Sequence, residues 1–126
     1  MKKLELFRAL MATGNWGEVE TKLGIEFDFK CAYCDKDLLE SVDNFKEWQK
    51  DHIVPSSKGG LDEDTNLALS CRTCNFIKSR WDPRLRLGSN PTKADLVNVA
   101  REHVSEKRKE AQSEINSYLE IIKLHS

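Results

Sequence analysis

The sequence lacks an excess of charge: 20 Lys/Arg stand against 21 Asp/Glu, a net charge of −1. That balance excludes a uniformly basic coat for nucleic acid. It leaves room for a local basic patch, which is all that phosphate binding needs. No apolar run is long enough to span a bilayer, and Met1-Lys-Lys opens a mixed amphipathic segment, not the apolar core of a signal peptide. The expectation is therefore a cytoplasmic protein with no membrane partner. No cysteine falls outside two close pairs, so nothing is left over for a disulfide framework. There is no internal repeat and no low-complexity tract. With 39% hydrophobic and 33% charged residues over 126 positions, one small domain with a thin core is expected, and such a core gains from a metal staple.

The cysteines supply that staple. Cys31-Ala-Tyr-Cys34 and Cys71-Arg-Thr-Cys74 are separated by 36 residues. Two C-x-x-C pairs read as four thiolate ligands for one structural Zn²⁺, each pair forming a tight knuckle whose amides point at the sulfurs. No cysteine is read as a nucleophile. Between the pairs lies Asp51-His52-Ile-Val-Pro55, followed by a Gly59-Gly60 turn and Asn66, while Asn75 adjoins the last cysteine. Adjacent residues of a strand point to opposite faces unless the strand twists or ends. One of Asp51 and His52 could thus ligate a cation while the other reaches a water beside it.

Apolar spacing predicts a helix over 3–12, a second over 15–23 stopped by Gly24, and, from the alternation in Ile25-Glu-Phe-Asp-Phe29, a short strand entering the first knuckle. The segment 35–50 reads as a loop or hairpin arm leading to a strand near 47–54. A further apolar run at 67–70 leads into a helix from Cys71 or Arg72 to about Trp81, ended by Asp82-Pro83. Thr92 and Asp95 stand at capping-box spacing ahead of one long helix over 93–124. Leu96, Val99, Ala100 and Val104 form its first apolar face. A second face, from Ala111 to Ile122, would suit a second copy of the chain or a larger assembly. The charged stretch 105–110 between them reads as a solvated face. Trp16, Phe27, Phe29, Trp48 and Trp81 are read as packing residues in preference to stacking ones, and His103 and His125, without partners at ligand spacing, as structural or exposed.

In its ordered set of Asp51-His52, Gly-Gly, Asn66 and Cys-x-x-Cys-Asn75, the chain resembles the HNH endonucleases of the four-cysteine type over about residues 31–81. His52, Asn66 and Asn75 would be the three signature residues, an HNN variant. The resemblance implies an α+β fold: a small ββα-metal core stapled by a four-cysteine zinc site, with N-terminal helices and a long C-terminal helix. On that reading 1–30 is a helical and strand flank, 31–81 the nuclease core, and 82–126 a basic loop and helix. It also implies Asp51 and Asn75 as ligands of a catalytic Mg²⁺ or Mn²⁺, His52 as general base and Asn66 as the residue orienting the histidine loop. DNA would be the substrate, cut to leave 5′-phosphate and 3′-hydroxyl ends.

Charge distribution agrees with a DNA partner. Residues 1–65 hold nine basic and fourteen acidic side chains, and residues 66–126 hold eleven and seven. Arg72, Lys78, Arg80, Arg84 and Arg86 are the candidates for phosphate contact, with Lys78 placed by helical spacing on the side of Cys74 and Asn75. The rival reading is a zinc-knuckle DNA-binding accessory module without catalysis. The complete set Asp51, His52, Asn66 and Asn75 discriminates, because zinc and basic residues would serve either.

Overall fold

The computed structural model describes residues 2–126, and its architecture is the expected α+β arrangement. Helix α1 (Lys2–Ala12) and helix α2 (Glu18–Glu26) come first, then a one-turn helix α3 (Val42–Phe45). Strand β1 (Trp48–His52) and strand β2 (Leu67–Cys71) form a two-stranded antiparallel sheet. Its register pairs Trp48 with Cys71 at one end and His52 with Leu67 at the other. Helix α4 (Arg72–Lys78) follows β2 directly, completing ββα, and helix α5 (Lys93–Leu124) closes the chain. Short 3₁₀ turns lie at Ser56–Lys58, Asp64–Asn66 and Pro83–Arg86. Among the described residues no helix is long and apolar enough to cross a membrane.

A two-stranded hairpin is marginal alone, and here it is enclosed. Every residue of β2 is buried, with α2 and α4 packed on it. Leu23, Tyr33, Leu38, Ile53, Leu69 and the first third of α5 (Leu96, Ala100, Val104) complete one continuous core. The α5 capping box is present, the Thr92 hydroxyl accepting from Asp95 N–H and the Asp95 carboxylate from Thr92 N–H. Beyond Glu110 every residue of α5 is exposed, including Ile115, Tyr118, Leu119 and Ile122.

Residues 25–29 depart from the alternation pattern. Ile25 and Glu26 finish α2, and Asp28 and Phe29 turn through the left-handed region at φ 55° and 58°. Packing explains the override. Gly24 lies inside α2 and does not end it, because a Cβ there would fall 2.6 Å from the Phe29 ring and 3.1 Å from that of Trp48. Close approach of helix and aromatic cluster replaces strand pairing. The cluster joins Trp16 edge-on to Phe29 (5.9 Å) and to Trp48 (5.4 Å). At the other end of the domain, buried His103 stacks flat on Trp81 at 3.9 Å and 2°, which makes it a packing residue.

Candidate active site and metal centre

The four cysteines converge as their spacing predicts. Their sulfurs all lie within 4.8 Å of one another, three of the residues fully buried and Cys34 half-buried. Tyr33 N–H points at Cys31 Sγ (3.4 Å) and Cys74 N–H at Cys71 Sγ (3.3 Å), the amide-to-sulfur pattern of metal knuckles. Such a donor set fits a structural Zn²⁺.

Two arginines of α5 attach to this centre. Arg108 donates to Cys74 Sγ from Nε (3.3 Å) and Nη2 (3.2 Å). The charged stretch 105–110 is thus not wholly a solvated face: a zinc held by four thiolates would carry −2, and Arg108 would offset part of it. One helical stretch earlier, Arg101 donates to the Ala32 carbonyl (3.0 Å) and pairs with Asp35. Asp35 itself sits at φ 65°, where glycine would be unstrained, and the ion pair helps to hold it there. Nothing in the sequence pattern announces Arg108, since its partner stands 34 positions away.

Asp51, at the last-but-one position of β1, points inward and is only 4% exposed. Its Oδ2 accepts from Tyr33 Oη (2.5 Å) and from Lys78 Nζ (3.2 Å), and Lys78 also donates to the His52 carbonyl (3.0 Å). Burial pushes the Asp51 carboxyl up, opposed by the Lys78 ammonium and by Tyr33. Burial, reinforced by Asp51, pushes the Tyr33 phenol well up. Lys78 therefore departs from its expected place among the phosphate-facing cations: it is 1% exposed and compensates Asp51 inside the protein. Removing one partner of a buried pair strands the other charge, typically at 3–5 kcal/mol. Lys78→Met is expected to destabilise by about that amount in urea unfolding, and adding Asp51→Asn should recover much of the loss.

His52 turns the other way. Its Nε2 lies 3.0 Å from Oδ1 of exposed Asp62, a carboxylate that the sequence motif does not include. The loop carrying Asp62 is tied down by Asn66. The Asn66 Oδ1 accepts from Val54 N–H (2.8 Å), and its Nδ2 donates to the carbonyls of Val54 (3.0 Å) and Leu61 (2.9 Å). All of the amide's strong contacts are thus with backbone on both sides of the loop. Gly60 allows this closure, because a Cβ there would lie 1.8 Å from the Val54 carbonyl oxygen.

Asp51, His52 and Asn75 line one open cleft of about 310 Å³, together with Lys50, Ser56 and Arg80. Of the remaining cationic candidates, Arg72 and Arg80 are exposed. Arg84 is committed to Asp82 (2.8 Å) and to the Lys58 carbonyl (2.8 Å), and its hydrogen bonds hold the Asp82 carboxyl below the usual range. Arg86 lies over Trp81 and 3.4 Å from Glu106. Residues 31–80 match the family model described as HNH endonuclease. No curated protein matches the chain.

Proposed function

We propose, on the premise that residues 31–80 belong to the HNH endonuclease family, that the chain is a metal-dependent DNA endonuclease. HNH endonuclease domains act on DNA. The observation that carries the reading is the convergence of Asp51, His52 and Asn75 on one cleft beside the loop that Asn66 closes. A DNA-binding accessory module would have no use for that arrangement.

Oxygen donors suit Mg²⁺ or Mn²⁺, and Asp51 with the Asn75 amide would hold it. Tyr33 and Lys78 both donate to Oδ2 of Asp51, and Lys78 reaches Oδ1 only at 3.5 Å, so Oδ1 is the less committed oxygen and the one that would face a cation. When bound, the ion supplies charge relief to the phosphate and the departing oxygen. The rest is the work of the protein. With Nε2–H donated to Asp62, the lone pair of neutral His52 resides on Nδ1, ready to take a proton from the attacking water. The water oxygen bonds to phosphorus as the P–O3′ bond breaks, and the released 3′ oxygen collects a proton from solvent. Asn66 keeps His52 and Asp62 in register through the loop. The metal staple requires reduced cysteines, and a cytoplasmic setting would keep them so.

Supercoiled plasmid incubated with Mg²⁺ or Mn²⁺ should become nicked or linear, and EDTA should prevent it. A protein that binds the plasmid yet leaves it intact with every divalent cation would be the accessory module instead. Phosphate contacts are assigned chiefly to Arg72 and Arg80. Each phosphate that a cation neutralises adds roughly 0.9 to the steepness of log K against log salt. The Arg72→Ala, Arg80→Ala double variant should therefore flatten the slope by about 1–2 units. Arg86→Ala, whose cation already has Trp81 and Glu106, should change it by less than about half a unit.

A further inference from the structure

A second opening lies at the far end of β1 from His52. Trp16, Phe45 and Trp48 wall a pocket of about 250 Å³, with Asn15, Glu20 and Lys46 at its edge. The rings are splayed and not closed over one another: Trp16 and Phe45 are 6.4 Å apart and tilted by 52°, and Phe45 is 45% exposed. Phe45 meets Trp48 edge-on at 6.1 Å yet leaves nearly half of its surface open beside two half-buried tryptophans.

The placement of this pocket says what it takes. Alternation along β1 puts Trp48, Lys50 and His52 on one face. The geometry agrees, since Lys50 and His52 both reach Oδ1 of Asp62, at 3.8 and 3.0 Å. At about 3.4 Å per residue, the pocket stands roughly 14 Å along the strand from His52, with Lys50 between them. A nucleic-acid strand lying on that face would meet a base-sized aromatic pocket, then a cation, then the cleft. Unstacked bases bind by stacking on aromatic side chains, and carboxylates accept from exocyclic amines. Aromatic walls with a carboxylate could also cage an alkylammonium, but Lys46 on the rim would repel it.

We propose that Trp16, Phe45 and Trp48 form a subsite for one unstacked nucleobase of the substrate strand, with Glu20 favouring a base that bears an exocyclic amine. The inference rests on the nuclease reading for its substrate, and its test does not depend on cleavage. His52→Ala protein is titrated with an eight-residue deoxycytidine oligomer, its thymidine counterpart and an abasic octamer, following tryptophan fluorescence and anisotropy. The deoxycytidine oligomer should quench tryptophan fluorescence and bind about 5- to 100-fold tighter than the abasic strand. Phe45→Ala and the more conservative Phe45→Leu should both erase most of that difference and leave abasic affinity unchanged. Glu20→Ala should narrow the margin of deoxycytidine over thymidine. Equal affinity for the base-bearing and abasic strands would overturn the subsite. So would full discrimination retained in both Phe45 variants, or quenching by tetramethylammonium with no effect of bases. An intact plasmid alongside clear base discrimination would refute the nuclease and leave the pocket standing, whereas a cut plasmid with no discrimination would do the reverse.

Discussion

Replacing Cys71 by serine is expected to yield no stable folded protein. Cys71 does three things at once. It ends β2 opposite Trp48, its Sγ caps α4 by accepting from Cys74 N–H, and it belongs to the four-sulfur cluster. A serine could imitate the cap but not the soft thiolate that zinc requires. Structural zinc contributes on the order of 10 kcal/mol in small zinc domains, comparable to the ~5–15 kcal/mol total stability of an ordinary domain. Its loss should also release the clamp that Arg108 and Arg101 place on the knuckles, freeing α5 from the hairpin. Circular dichroism and elemental analysis check this directly. Wild-type protein should carry one zinc per chain, and chelation should abolish its cooperative melt. Zinc-free protein that melts like the wild type would end the assignment.

His52→Ala should do the opposite: keep the fold and lose the chemistry. The His52 side chain is 27% exposed, and its hydrogen-bond partner is the exposed carboxylate of Asp62, so little packing is lost. Loss of a general base typically costs about 10²–10⁴-fold in rate. Plasmid cleavage should fall by that factor while the melting temperature and DNA affinity stay near wild type. Asp62→Asn should fall in between, since an amide can still accept from Nε2–H but offers no charge to a developing imidazolium. Wild-type cleavage by His52→Ala would remove the histidine from the mechanism.

What sequence made legible here was local spacing. The cysteine knuckles, the position of α4 after β2, the capping box of α5 and the span of that helix all follow from short intervals along the chain. What it concealed were the long-range partners. Helical spacing placed Lys78 on the side of Asn75, yet nothing local announced that Asp51, 27 positions back, would draw it inside. Arg108 read as one charge among several in a polar run, because thiolates 34 and 37 positions away are invisible to periodicity. Gly24 looked like a helix stop, whereas the Phe29 ring occupies the space of its missing Cβ. The pair Tyr33–Asp51 was hidden in a different way: tyrosine between two cysteines carries no signal, and only folding brings its hydroxyl to the carboxylate.

The exposed turn at 56–59 lies between the two cysteine pairs, and so between β1 and β2. A break in the backbone there would leave one piece with Cys31, Cys34, Asp51 and His52, and another with Asn66, Cys71, Cys74 and Asn75. Neither fragment holds a complete set of thiolates or a complete cleft. Each is half of the same tetrahedron. Complementation between them would be dosed by zinc, so that an ion stapling the intact chain would become, in a divided one, the switch for assembly.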